Sequence, residues 1–274
     1  MTRAFAVLSW VLMASCGAAA PAPAVEKPVV TVAPPAEDAS DESGDAPPEA
    51  APSRRADLDE CVALLRSASD LPSAPEERDL YAAALDAERR GDLTEARRTY
   101  FELIQNYPRS RFVPLTYLAF GEQFREEAAK DPSKAQLAIQ AMREVLKYPP
   151  ADNPVFAYAA LRIAELEEDE GSRALADYKR AIEAADKSAC GEAISDLARA
   201  GVVTTYVTVG RPTAAWSFFR NIAPDDDTAA AMIVSLMDAY ESSGMPAKAC
   251  EAALSATTPP ARVEARARRC KKTP

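Results

Sequence analysis

The 274-residue chain contains no histidine. One absence therefore removes both the usual general base and the commonest metal ligand. Glycine is scarce, at nine residues, whereas the 22 prolines gather in the N-terminal region and between helical segments. That distribution favours an all-α body with proline-punctuated loops over a sheet. Positive charge is in deficit, with 32 Lys and Arg against 42 Asp and Glu, a net charge of −10 and a pI near 4.8. A nucleic-acid partner is not expected, because phosphate binding needs a basic surface. No C-x-x-C and no G-x-S-x-G occurs, so zinc, thioredoxin-like and serine-hydrolase chemistry find no support. Carboxylates and lysines remain as reactive groups without a paired motif. The chain reads as a non-enzyme with no catalytic residue, cofactor or metal.

Arg3 is followed by an uncharged apolar run from Ala4 to Met13. About ten apolar residues are too few to span a bilayer but suit the core of a secretory signal. Leu12-Met13-Ala14-Ser15-Cys16 resembles a bacterial lipobox, with Met13 where leucine is preferred. The resemblance implies a signal peptide over 1–15 and a mature N-terminus at Cys16 carrying several acyl chains, palmitate among them. Two or more chains hold a protein stably on a membrane. Gly17, rather than aspartate, follows the cysteine, which by analogy with enterobacterial sorting points to the outer membrane facing the periplasm. An ordinary signal peptide cut near Ala18 to Ala20 is the other reading of the same residues.

Residues 16–56 are Ala, Pro and acid, with Val25, Val29, Val30 and Val32 among the few larger apolar side chains. Such a segment buries too little surface to offset its ordering entropy and reads as a disordered tether. Forty such residues reach on the order of 100 Å if extended, or about 35 Å as a flexible coil.

The body, 57–272, is organised around the stretch from Gly91 to Pro108. Gly91 ends one helix, Asp92 caps the next, and Glu95 stands where a capping box needs it. Ala96, Tyr100 and Leu103 share a face, and Pro108 closes the unit. Upstream, an opening helix is predicted from near Asp57 to Leu71-Pro72, with Leu58, Cys61, Val62 and Leu65 on its apolar side. Ser73 and Glu76 form a second expected capping box, with Pro75 in the first turn.

The spacing resembles the tetratricopeptide repeat (TPR), a helix–turn–helix unit in which small side chains let two helices approach and bulky ones fill the groove to the next unit. The first unit has Ala84 and Ala87, then Ala96, Tyr100, Leu103 and Pro108. The second has Tyr117, Phe120 and Gly121, then Ala138, Met142, Val145 and Pro150, with Asp131-Pro132 starting its second helix. The third has Asn153-Pro154 as a start, Ala160 and Ala164, then Ala174, Tyr178 and Ala181, with its turn around Gly171. The fourth is irregular, with Val202, Val203 and Tyr206 before Ala215, Phe219 and Ile222. The fifth has Ile233, Leu236 and Tyr240 before Ala249 and Ala253. A last basic helix is expected from Pro259-Pro260 to Cys270. The resemblance covers about 77–255 and implies an all-α, TPR-like right-handed superhelix of antiparallel hairpins; an irregular α-hairpin bundle is the plainer alternative. Val202–Val209 has strand-like composition but is predicted helical from its flanks.

With Cys16 set aside, Cys61, Cys190, Cys250 and Cys270 remain. An exported chain permits disulfides. A hairpin would bring Cys250 to Cys270, while a linear array would keep Cys61 far from Cys190. Glu167-Glu168-Asp169-Glu170 and Asp225-Asp226-Asp227 lack the ligand spacing of a calcium loop. They read as solvated turns, with Asp227 capping the next helix. Arg266, Arg268, Arg269, Lys271 and Lys272 make a basic C-terminal end.

TPR proteins hold ligands along the concave face lined by the first helix of each hairpin. The resemblance places partner contacts at Arg78, Tyr81, Glu88 and Arg89, at Leu118, Glu122 and Arg125, and at Tyr158 and Glu165. Tyr81 and Leu85 occupy places that the family's chaperone-binding carboxylate clamp needs, so that clamp is absent. Anchor, spacer and repeat body, with phrases such as Tyr100-Phe101-Glu102-Leu103-Ile104-Gln105-Asn106-Tyr107-Pro108, resemble the lipoprotein subunit of the outer-membrane β-barrel assembly machinery. They are similar also to TPR proteins of the Tol–Pal system and of gliding machinery. The long acidic tether departs from the barrel-assembly subunit. The expected function is an envelope scaffold that binds proteins and sits on a membrane through its lipid. A glycan- or peptidoglycan-associated secreted binder is the alternative.

Overall fold

The computed structural model describes residues 50–67, 71–256 and 261–270. The expected signal segment 1–15, Cys16 and the expected tether as far as residue 49 lie outside the described residues, as do Pro259, Pro260, Lys271 and Lys272. The described chain is all-helical, and no strand occurs among the described residues. Its helices are α1 (Ala50–Ser67), α2 (Pro75–Arg89), α3 (Leu93–Asn106), α4 (Val113–Ala128), α5 (Lys134–Val145) and α6 (Phe156–Leu166). They continue as α7 (Ser172–Ala185), α8 (Gly191–Val209), α9 (Ala215–Arg220), α10 (Asp226–Ser242), α11 (Pro246–Ser255) and α12 (Ala261–Cys270).

The helices pack as successive pairs: α2 with α3, α4 with α5, α6 with α7 and α10 with α11, while α8 packs on both α7 and α10. Small side chains make the close approaches. Ala84, Ala87 and Ala96 are fully buried in the first pair, and Ala160, Ala164, Ala174 and Ala181 in the third. Tyr100, Leu103, Met142, Tyr178 and Phe219 fill the spaces between. Gly121 and Gly201 are among the glycines where an added Cβ would crowd its neighbours. A Cβ on Gly121 would stand 2.6 Å from Met142 Cγ, and one on Gly201 2.2 Å from Tyr178 Cζ.

The helix ends follow local chemistry. Gly91 takes φ +79°, which a side chain would disfavour, and its N–H donates to the Glu88 carbonyl at 2.9 Å. Asp92 Oδ1 accepts the Glu95 N–H at 3.0 Å. The box is half-made: Glu95 turns outward to Arg98, and the Asp92 N–H donates to the Ala87 carbonyl instead. The expected Ser73 cap does not form. Ser73 Oγ donates back to the Leu71 carbonyl at 3.0 Å, and α2 starts from Ala74 with Pro75 leading. In α10 the cap is Asp225, which accepts the Thr228 N–H at 2.7 Å, so Asp227 lies in the first turn and not at the cap. Asn153 is buried before α6; its amide donates to the Val145 carbonyl at 2.9 Å, joining α5 to the next unit.

Val202–Val209 is helical, as its flanks predict. Val202, Val203 and Tyr206 are buried, and Thr208 Oγ1 donates to the Thr205 carbonyl at 2.8 Å in the last turn. The fourth unit's second helix shrinks to the short α9, entered through a 3-10 turn at Pro212–Ala214. Trp216 and Phe219 still bury against the stack.

The first helix departs most from expectation. It begins at Ala50, not Asp57, and ends at Ser67. Cys250 is bonded to Cys270, joining α11 to α12 as the hairpin geometry predicts. Cys61 is also bonded, to Cys190, across a separation of 129 residues. A linear array disfavours this pair, but α1 does not extend such an array and folds back to the start of α8.

Candidate functional site

α1 is laid against side chains of α2, α6 and α8, packing most closely on α8, and α4 lines the cleft beside it. Leu58, Val62 and Leu65 fall at helical spacing on α1; Leu58 and Val62 are buried and Leu65 half-buried. Charge sets the rest of the seat. Arg54 Nη1 meets Asp196 of α8 at 2.7 Å, and Arg55 pairs with Glu165 of α6. Asp59 meets Arg162 of α6 at 3.1 Å. At the other end, Arg66 Nη2 donates to both oxygens of Glu88 on α2 at 2.7 Å, and the Tyr81 hydroxyl donates to the Arg66 carbonyl at 2.8 Å.

Two side chains organise this face. Glu88 accepts from Arg66, from the Tyr100 hydroxyl at 2.9 Å and from Gln123 Nε2 at 3.4 Å, so one carboxylate links α1, α2, α3 and α4. Burial pushes the Tyr81 hydroxyl up to about 12 and moves Tyr100 upward as well, which keeps both as donors at neutral pH. Burial opposes the charge on Arg66, but Glu88 and the two tyrosines outweigh it, and the guanidinium stays protonated. Arg162 is the second organiser, with a side chain only 8% exposed. Its Nε donates to the Tyr158 hydroxyl at 2.8 Å and its Nη1 to Glu165 at 2.9 Å, and Glu122 Oε1 lies 3.4 Å from Nε. Its guanidinium also covers the Tyr158 ring at 4.9 Å. Between α1 and α4 an open cleft of about 530 Å³ remains, lined by Val62, Arg66, Glu88, Glu122, Arg125 and Arg162 among others.

Tyr81, Glu88, Glu122, Tyr158 and Glu165 thus come together, and what they meet is α1 or the Arg162 cluster beside it. Arg125 joins them through Glu122, at 2.8 Å. Arg78 and Arg89 are exposed, and Arg78 reaches only the Ser73 carbonyl at 3.5 Å. Leu118 is fully buried and belongs to the core, not to a groove. The repeat pattern missed Arg55, Asp59 and Arg66, because α1 precedes the first repeat and has no position in the frame. It missed Arg162 because the residue sits between expected core alanines.

The acidic run after α6 is only partly a solvated turn. Glu167 is buried and takes Arg143 Nη2 at 2.8 and 3.0 Å, and Glu168 accepts the Tyr178 hydroxyl at 2.9 Å. Arg143 also lies 3.5 Å from buried Asp177, whose carboxyl is moved upward by burial against the pull of Arg180 and Arg143. On α12, Arg266 is paired with Asp238 and Glu241 of α10 at 2.6 and 3.2 Å. No group of three or more Cys, Asp and Glu that could hold a metal ion occurs among the described residues. No described helix is long and apolar enough to cross a membrane.

No protein-family model matches the chain, no curated protein matches it, and no solved structure matches it.

Proposed function

We propose that this protein is a lipid-anchored scaffold of the bacterial cell envelope, fixed through Cys16 to the outer membrane and facing the periplasm. Its hairpins form a TPR-like right-handed superhelix, and the shared face of α2, α4, α6 and α8 binds a segment of a partner protein. The observation that carries this reading is the seat of α1: an amphipathic helix lies on that face, with its apolar stripe buried and its arginines matched by Glu88, Glu165 and Asp196. Laying an apolar helix face into a groove is a recurring mode of peptide recognition. The pairing of small with bulky side chains supports the repeat reading, and the lipobox-like Cys16 supports the anchor.

The test is recovery of the lipidated protein from membranes with its neighbours cross-linked. Integral or lipid-anchored envelope proteins in the eluate, and palmitate labelling abolished by Cys16→Ala, are expected. Retention on peptidoglycan with no protein partner contradicts the scaffold reading.

A further inference from the structure

The face that the repeat pattern assigns to a partner is already filled by the chain's own first helix. Two features of α1 bear on this. Its buried apolar contribution is small, resting on Leu58 and Val62 with Cys61 and Leu65 half-buried. Finally, α1 is joined covalently to the face it covers, through Cys61–Cys190. That bond borders a surface cleft of about 380 Å³ lined by Arg54, Asp57, Cys61, Cys190 and Asp196 among others, and Cys190 itself is buried.

We propose that α1 is an internal copy of the partner, latched by Cys61–Cys190, and that the external occupant is an amphipathic helix bearing arginines at both ends of its apolar stripe. The inference rests on the scaffold reading of the same face. Charge complementarity defines the partner: Glu165 and Asp196 receive arginines at one end of the stripe and Glu88 receives one at the other, as they do with Arg55, Arg54 and Arg66. Opening the latch takes two electrons and two protons from a dithiol, which leaves as its own disulfide, and gives two free cysteines. With the bond closed, α1 competes from within the same molecule at a high effective concentration and keeps the face covered.

The probe is a fluorescein-labelled peptide of residues 50–67 carrying Cys61→Ser. It is titrated against the oxidised full chain and against a full chain with Leu58→Asp and Cys61→Ser, which removes the latch and puts a charge under α1. Binding at least tenfold tighter to the variant is expected, as is at least tenfold weaker binding of a probe with Arg55→Ala and Arg66→Ala. Equal binding to both proteins overturns the latch. No binding to a variant whose circular dichroism is native overturns the groove's preference. Dimers of the variant formed by exchange of α1 make the occupant a second copy and overturn the partner helix.

If the variant does not fold, hydrogen exchange on the wild-type chain before and after dithiothreitol decides. At least tenfold faster exchange of α1, with α6 unchanged, supports the latch, and unchanged α1 overturns it. Envelope partners recovered while these tests fail leave the scaffold standing without the latch. A failed recovery removes both.

Discussion

Arg66 Nη2 stands 2.7 Å from both carboxylate oxygens of Glu88, tying the last turn of α1 to α2. Both side chains are largely buried, at 15% and 18% exposure. Removing the carboxylate charge leaves a guanidinium in a seat built for an ion pair. Glu88→Gln is therefore expected to cost about 2 kcal/mol, in the range for hydrogen bonds to charged groups. A double-mutant cycle with Arg66→Met, read by urea unfolding, should return a coupling of at least about 1 kcal/mol. Additive single effects would show that the pair contributes no coupling.

The two disulfides should differ in strength. Cys61–Cys190 closes a separation of 129 residues, and Cys250–Cys270 one of 20. The loop-entropy relation gives about 3 kcal/mol for a loop near the shorter length and nearly ~5 kcal/mol near the longer. Replacing each pair by alanines and comparing urea midpoints should rank the first pair as the larger loss. Hydrogen exchange should then rise along α1 in one variant and along α12 in the other.

Gly201→Ala and Gly121→Ala separate two kinds of close approach. In a helix the exchange alone favours alanine by about 1 kcal/mol. At Gly201 the new methyl group meets the rigid Tyr178 ring at 2.2 Å, and that ring is held by Glu168. At Gly121 it meets the flexible Met142 side chain. Gly201→Ala is expected to destabilise by about 2 kcal/mol or more through overpacking, and Gly121→Ala by clearly less. Thermal unfolding of the two variants checks the order.

Most of the α2–α7 architecture was legible from the spacing of alanines, tyrosines and prolines, because hairpin packing needs small side chains at fixed positions. Tyr100 and Tyr178 fall in the core where the repeat pattern puts them. Caps were less legible: Ser73 turns its hydroxyl back to Leu71, Asp225 caps α10 two residues before Asp227, and the Ala87 carbonyl takes the Asp92 N–H that Glu95 was expected to accept. The largest error concerned α1. Its apolar stripe, Leu58, Cys61, Val62 and Leu65, was read correctly, but a stripe does not say what it faces. The Cys61–Cys190 bond joins the two ends of that question, and no periodicity connects residues so far apart. Glu88 and Glu165 meet α1, and Glu122 and Tyr158 meet Arg162 beside it, but the repeat frame contains no α1.

The cap of α10 makes a pH prediction. The Asp225 carboxyl is held below its ordinary value of 3.8, chiefly by the Thr228 backbone N–H. A carboxyl depressed in the folded state contributes stability above the unfolded value, and that contribution is lost as pH falls through the folded value. Asp225→Ala should therefore be less stable than wild type at neutral pH, with the difference closing below about pH 3.8. A difference in melting temperature that stays constant from pH 7 to pH 2 would contradict this role.

Hydrogen exchange of α1 in the full oxidised chain tests the account most directly. If α1 is seated on α2, α6 and α8, its amides from Leu58 to Arg66 exchange as slowly as those of neighbouring α6. Exchange at the rate of a free peptide would mean that the face is open and that the first helix is not its occupant.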